Sequence, residues 1–291
     1  MSFFFNGLCD VMQTSNLTIK GSKGLMTLDM PLVMGIVNVT PDSFYPDSRS
    51  ENIEQTLEKV EQMVEDGVDI VDIGGMSSRP GAEELSIDEE INRLVGPLAA
   101  VRKRFPSLWI SVDTYRTEVL SACLDHDIDI INDISGGRLD ENFLDKVAES
   151  QITYVLMHMQ GAPRVMQYNP TYEDVVLDIL KYVDERLHLC KSKGITDVII
   201  DPGFGFGKTL SDNYALLKGL GSFQMFDRPV LVGLSRKSMI YKPLQTSSTS
   251  ALNGTTALHM AALDRGANIL RVHDVKEARE CITLWTLLKN A

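Results

Sequence analysis

The run Asp201-Pro202-Gly203-Phe204-Gly205-Phe206-Gly207-Lys208 follows directly on the apolar stretch Asp197–Ile200. A strand that ends in a carboxylate and passes into a glycine-rich turn can bring backbone amides and aromatic rings close to a ligand, because glycine adopts backbone angles closed to other residues. The same arrangement recurs along the chain, where Asn38, Asp113, Asn132, Ser235-Arg236-Lys237 and Arg271-Val272-His273-Asp274 each end an apolar run. Asp113, Asn132, Asp201 and Lys237 together suit a planar heterocycle rich in N–H donors, which two carboxylates can grip in bidentate fashion. The alternative is that Asp113 and Asn132 simply cap the helices that follow them.

Alternation places Arg271 and His273 on one face of their strand, and Asp274 stands where it can cap the next helix. With Ser78 and Arg79 these residues form a candidate anion site, at the end of a fold where phosphates often bind; a structural salt bridge is the alternative for Arg271. His273 has no partner at zinc-ligand spacing. The loop Asn38–Phe44 carries Asp42, suited to stabilise a cation, and Phe44, suited to exclude water. A capped turn with Phe44 packed on the fold is the alternative. Lys208 is a weaker signal, since Gly203–Thr209 lacks one spacer residue of a phosphate-binding P-loop.

The elements that must position these groups alternate regularly. Strands are predicted at Leu32–Val37, Asp69–Ile73, Trp109–Val112, Asp129–Ile131, Thr153–Met157, Val198–Ile200, Val230–Gly233 and Ile269–Val272. Helices are predicted at Ile53–Glu65, Ser86–Lys103, Thr117–Leu124, Glu141–Glu149, Tyr172–Lys193, Ser211–Leu220, Thr255–Arg265 and Val275–Lys289, with a capping box at Ser86 and Glu89. Eight βα units point to an α/β fold of the TIM (β/α)8 barrel type, with reactive groups at one end; a doubly wound open sheet is the alternative. Residues 1–30 form an extension with a short β-hairpin, and residues 31–291 form the single barrel domain. The loops Thr40–Asn52 and Ser235–Asn253 are longer than the fold requires, as functional loops tend to be.

The chain of 291 residues has a formal net charge of −12 and 44% hydrophobic residues. That balance supports a large core and speaks against a broad nucleic-acid surface, while local cations can still hold an anionic small molecule. No apolar run reaches the ~18–20 residues of a membrane span. The cysteines Cys9, Cys123, Cys190 and Cys281 are scattered, as expected of free thiols in the cytoplasm.

Taken together, Met34–Phe44, Asp72–Gly81, Ser111–Thr114, Ile131–Ile134, Met157–Gly161, Asp201–Lys208, Gly233–Ser238 and Arg271–Asp274 resemble the dihydropteroate synthases, from about Leu28 to the C-terminus. The resemblance implies a cytoplasmic, homodimeric transferase of folate biosynthesis. It would join 6-hydroxymethyl-7,8-dihydropterin pyrophosphate to p-aminobenzoate through a pterin-methyl cation, with sulfonamides as inhibitors. It further implies that Asp113, Asn132, Asp201 and Lys237 bind the pterin between Met157 and Phe206. Arg271, His273, Asn38, Ser78 and Arg79 would hold the pyrophosphate, and Mg2+ would be bound through the pyrophosphate and Asn38. Phe44, Ser78, Pro80, Ser235 and Lys237 would line the p-aminobenzoate pocket, with Ser235 at its carboxylate and Asp42 at the cation. The dimer would form through the last helix, where Cys281, Leu284, Trp285 and Leu288 make an apolar stripe.

Pterin-binding barrels of cobalamin-dependent methyltransferases share the Asp/Asn/Asp set but need neither the Asp42 loop nor the Arg271/His273 pair. A non-catalytic pterin-binding barrel is the third reading. The sequence departs from the family at Met76, where an acid is usual, at Ser78, where threonine is usual, and at Tyr45–Arg49, where Pro46 replaces glycine-rich flexibility. These departures are expected to tune affinity for p-aminobenzoate and its sulfonamide mimics. Sulfonamide inhibition constants should therefore differ between the wild-type chain and Ser78→Thr; identical constants would remove the idea.

Overall fold

The computed structural model describes residues 17–39, 47–76, 85–161 and 170–291. Two strands, β1 (Thr18–Gly21) and β2 (Gly24–Thr27), form an antiparallel hairpin. They precede eight parallel strands: β3 (Leu32–Asn38), β4 (Ile70–Gly74), β5 (Trp109–Asp113), β6 (Ile130–Asp133), β7 (Thr153–Met157), β8 (Val198–Asp201), β9 (Leu231–Val232) and β10 (Ile269–Val272). The eight pair in the order β8-β7-β6-β5-β4-β3-β10-β9, and an Ile200–Val230 bridge joins the two ends. The sheet is therefore a barrel and not an open doubly wound sheet. Its helices are α1 (Asp47–Glu65), α2 (Ile87–Arg104), α3 (Thr117–Leu124), α4 (Phe143–Ser150), α5 (Val175–Ser192), α6 (Leu210–Lys218), α7 (Ser238–Tyr241), α8 (Leu252–Leu263) and α9 (Val275–Lys289).

Most predicted elements stand within a few residues of the observed ones, and the differences have local causes. Helix α1 starts at Asp47, well before Ile53, because residues 47–52 are polar and carry no apolar period to reveal a helix. The long loop after β3 is shorter by that amount, and its residues 40–46 lie outside the described residues. Strand β9 is shorter than Val230–Gly233: Val230 makes an isolated bridge to Ile200, and its N–H bonds the Asn268 side chain at 2.9 Å. At Ser86 only half of the expected capping box forms: the hydroxyl accepts the Glu89 N–H at 3.2 Å, while the Glu89 carboxylate faces Arg93 at 3.6 Å. The complete box is at Thr209 and Asp212, which start α6.

Strand alternation separates two cores. Outward-facing Val33, Val71, Ile110, Ile131, Tyr154, Ile200 and Leu270 pack under the helices. Inward-facing Met34, Ile70, Trp109, Ile130, Val155, Ile199, Leu231 and Ile269 fill the lower barrel, where Ile19 and Leu28 of the hairpin region join them from below. The hairpin approaches so closely at Gly21 that a Cβ there would lie 2.7 Å from the Trp109 ring. Lys20 adds a two-way contact, its N–H donating to Thr153 Oγ1 at 3.0 Å and its carbonyl accepting from the same hydroxyl at 2.8 Å.

Asp129, fully buried, ties this floor together. It accepts from Ser22 N and Oγ at 3.0 and 2.7 Å, from Ile110 N at 2.9 Å and from Arg102 Nη2 at 2.9 Å. Asp129→Ala leaves the half-buried Arg102 charge and the Ile110 N–H without their partner. It should cost about 3–5 kcal/mol in denaturant unfolding, with KM values unchanged because the site lies at the other end of the barrel. A loss below ~1 kcal/mol, the worth of an exposed ion pair, would contradict this account.

Candidate active site

The inward-facing positions above the apolar floor are polar. Asp72, Asp113, Asn132, Asp201 and Arg271 each stand two residues, or one further period of two, beyond a floor residue on their own strand. Arg271 lies between two carboxylates: Nε donates to Asp72 Oδ2 at 2.6 Å and Nη2 to Asp113 Oδ2 at 2.7 Å. Asn132 donates one amide N–H to the same Asp72 Oδ2 at 2.9 Å. The salt-bridge alternative for Arg271 thus describes a real contact, but one made inside the barrel mouth. Neither Asp113 nor Asn132 caps a helix, since Arg116 and Asn142 hold the N-cap positions of α3 and α4.

On the far side, Asp201 Oδ1 accepts the Gly203 N–H at 2.7 Å and fixes the start of the glycine turn. Gly203 has φ +73°, and a Cβ there would fall 1.9 Å from the His158 carbonyl oxygen, so the turn tolerates only glycine. The turn holds Phe206 beside Met157, Met159 and Ile134, with the Lys237 ammonium 4.5 Å from the Phe206 ring centroid. Lys237 also donates to the Phe204 carbonyl. Lys208 turns inward beneath the same turn: Nζ is 2.8 Å from Gly203 O, 3.1 Å from Phe206 O and 3.0 Å from His158 Nδ1. It is a support for the turn and not part of a phosphate loop.

Ser235 and His273 meet at the rim. The Ser235 hydroxyl lies 3.1 Å from His273 Nδ1 and accepts the His273 backbone N–H at 3.3 Å. The hydroxyl and Nδ1 share one hydrogen, whose side depends on the imidazole tautomer. Ser235 is buried, so its hydroxyl serves His273 within the protein. Asp274 does not cap α9 as expected. Both its oxygens are held by Arg236, from Nε at 2.8 Å and Nη2 at 2.7 Å. Arg236 Nη1 also reaches the carbonyls of Ser248 and Thr249 at 3.0 and 2.6 Å, so one guanidinium fastens the loops after β9 and β10 together.

Asn38 ends β3 exposed, and Met157 ends β7 buried. Asp42, Phe44, Ser78, Arg79 and Pro80 lie outside the described residues. Asp72 is the residue that the sequence pattern passes over. It sits in the middle of an apolar strand and not at its end; the usable signal was its shared parity with Ile70 and Gly74.

Desolvation governs the charges. Burial pushes the Asp113 carboxyl up to about 7 although Arg271 pulls it down, and burial raises Asp201 against the opposing charge of Lys237. Burial lowers Lys237 to about 8 and Lys208 to about 7, with Asp201 opposing both shifts. His273 is exposed at the rim, yet partial desolvation and then the Arg271 charge bring its imidazole down to about 4. The mouth therefore presents carboxylates that readily accept N–H donors, an amide, and cations close to losing their protons, over an aromatic and thioether wall.

Residues 34–273 match the pterin binding enzyme family. The dihydropteroate synthase of Haemophilus influenzae is 42% identical over 268 residues, covering 91% of this chain and 97% of its own. A Yersinia pestis dihydropteroate synthase solved as a sulfonamide drug complex superimposes with a TM-score of 0.89 at 38% identity, over 94% of this chain and all of that one. The Xanthomonas albilineans dihydropteroate synthase solved with 4-aminobenzoic acid has a TM-score of 0.87 at 36% identity, over 95% of this chain and 99% of its own. With a polar site at the mouth of a (β/α)8 barrel and relatives matched over nearly their whole length, the chain belongs to the pterin binding enzymes and, among them, to the dihydropteroate synthases.

Proposed function

We propose that the barrel mouth condenses 6-hydroxymethyl-7,8-dihydropterin pyrophosphate with p-aminobenzoate, giving 7,8-dihydropteroate and pyrophosphate. The chain is a transferase of folate biosynthesis by its family membership. The observation that carries the assignment of roles is the convergence of Asp113, Asn132, Asp201, Lys237 and Arg271 on one desolvated space above the apolar floor.

Asp113, Asn132 and Asp201 accept and donate along the edge of the pterin, which lies against Met157 and Phe206. Arg271 and His273, with Asn38, Ser78 and Arg79, hold the pyrophosphate. Among the described residues no cluster of three or more His, Cys, Asp or Glu side chains offers a metal cage. One exposed amide oxygen at Asn38 nevertheless fits Mg2+, which takes few protein ligands and prefers phosphate and water oxygens. Bound there, Mg2+ supplies positive charge to the pyrophosphate oxygens.

The C–O bond breaks first, and its electron pair leaves with the pyrophosphate, whose charge Arg271 and His273 stabilise. The pterin-methyl cation is delocalised into the ring and stabilised by Asp42. The aniline nitrogen of p-aminobenzoate attacks the methylene carbon, forming the C–N bond, and its surplus proton passes to water. Phe44, Ser78, Pro80, Lys237 and Ser235 bound the p-aminobenzoate pocket, with Ser235, which also bonds His273, at its carboxylate. Sulfonamides compete for that pocket.

Leu284, Leu287 and Leu288 of α9 stand more than half exposed, while Cys281 on the same helix is buried. This apolar face supports a homodimer through the last helix. None of the described helices is long and apolar enough to cross a membrane, in keeping with work in the cytoplasm.

Pyrophosphate release, measured with purified protein, the pterin substrate, Mg2+ and p-aminobenzoate, tests the assignment. Asp42→Ala and Lys237→Ala should each lower kcat/KM by about 10²–10³-fold. Tight pterin binding without any release would leave a binding protein in place of an enzyme. The pH profile is a separate check. Lys237 loses its charge as pH rises through about 8, and Asp113 loses its charge as pH falls through about 7. The profile of kcat/KM for the pterin substrate should therefore be bell-shaped. Lys237→Arg, which stays protonated, should move the alkaline limb upward; an unmoved limb would remove Lys237 from it.

A further inference from the structure

Asp72 is an inward carboxylate bonded to residues of two proposed subsites. A single oxygen, Oδ2, accepts from Arg271 Nε at 2.6 Å and from Asn132 Nδ2 at 2.9 Å. Arg271 belongs to the proposed pyrophosphate site and Asn132 to the proposed pterin site. We propose that Asp72 is a positioning residue that sets Arg271 and Asn132 in mutual register, so that the pterin ring and its pyrophosphate are held at a fixed separation. The inference rests on the reading of Arg271 and Asn132 given above and adds to it a residue that touches neither ligand.

Three observations carry it. First, the two carboxylates on Arg271 are not equivalent: the Asp72 side chain has no exposed surface, whereas that of Asp113 retains 12%. Asp113, nearer the mouth at the end of β5, can be shared with a ligand; Asp72, sealed within β4, stays with its protein partners whatever binds.

Second, the barrel geometry places Asp72 between its partners. Asp72 pairs in register with Ile36 on one side and Ser111 on the other, so it projects into the barrel a level below Asp113, whose register partner is Asn132. Arg271 enters from β10, across β3, and spans both levels with its Nε and Nη2 groups. A guanidinium fixed at Nε retains little freedom of rotation, which orders its remaining N–H groups.

Third, Asp72 is poorly suited to a purely structural role. Among the described residues its buried Oδ1 has no hydrogen-bond partner, nor has the buried Oγ of Ser111 on the register-paired residue. A carboxylate kept for stability alone is better replaced by an apolar side chain, or else fully satisfied, as Asp129 is at the floor. A buried group satisfied on one oxygen only, and there by two residues of the site, departs from packing rules in the way functional positions do.

The test is a pair of double-mutant cycles read by equilibrium binding on the full chain. One ligand is inorganic pyrophosphate with Mg2+, and the other is 6-hydroxymethylpterin, which has no pyrophosphate. Asp72→Asn keeps the shape but turns one oxygen into a donor that opposes Arg271 and Asn132. It should weaken pyrophosphate and pterin by about tenfold each, a typical coupling for contacting residues. In an Arg271→Ala background the same substitution should change pyrophosphate affinity by less than about twofold, and in an Asn132→Ala background it should have as little effect on the pterin.

Parallel losses of both ligands in every background would show a general structural role and overturn the proposal. Arg271→Ala with wild-type pyrophosphate affinity would remove the underlying reading of Arg271, and the inference with it; that outcome is distinct from an intact Arg271 effect with no coupling, which overturns the inference alone. Asp72→Ser, which leaves room for a water, serves as the second variant. If neither variant yields a folded chain by circular dichroism and gel filtration, the role is structural and the proposal fails.

Discussion

Arg271 carries a full positive charge into the upper barrel, and the arrangement of the mouth depends on how that charge is held. Asp72 and Asp113 grip it from two strands, and their attraction outweighs burial, keeping the guanidinium firmly protonated. Removing water from so many ions is costly unless each finds a partner. The described residues answer with near balance: Asp72, Asp113 and Asp201 face Arg271, Lys237 and Lys208. The result is a cluster of opposed charges, so that a polar ligand can exchange for protein contacts without leaving a bare charge behind.

That cluster is possible because the barrel separates two solvents. Below it, a layer of Met, Ile, Val, Leu and Trp side chains closes the interior, and the N-terminal hairpin seals the end. Above it, loops carry the turn-forming residues. The glycine turn after β8 and the Arg236–Asp274 clamp are rigid parts of this rim. They hold Phe206, Lys237 and His273 relative to one another, the turn through Asp201 and Lys237 themselves and the clamp through Arg236 and Asp274.

The sequence made most of this readable, for reasons that also explain what it hid. Strands such as Thr153–Met157 and Ile269–Val272 are continuous apolar runs bounded by polar residues, and buried parallel strands have little else to show. Polar residues at strand ends, Asp113, Asn132, Asp201 and Arg271, stood out because they break such runs at the end where a barrel keeps its site. Asp72 did not, since a single carboxylate within Ile70–Gly74 reads as noise until the parity of the strand is known. Asp274 was misread because helix capping is a local rule, and a guanidinium from a loop 38 residues away overrides it. The contact between Ser235 and His273 shows the same limit, since residues 38 apart in sequence give no local sign that they meet.

The sealed floor has a further meaning for traffic. The barrel is a blind well, and everything that enters must leave by the same opening. Asn132 and Asp201 lie deep and nearly inaccessible, whereas His273 sits exposed at the rim. On the proposed reading, a pterin that rests at depth is covered by whatever binds after it. Arrival in the reverse order would stopper the well with an aromatic acid and shut the pterin out. Order of entry is then a property of the architecture, imposed by the Ile19 and Leu28 plug some distance from the chemistry.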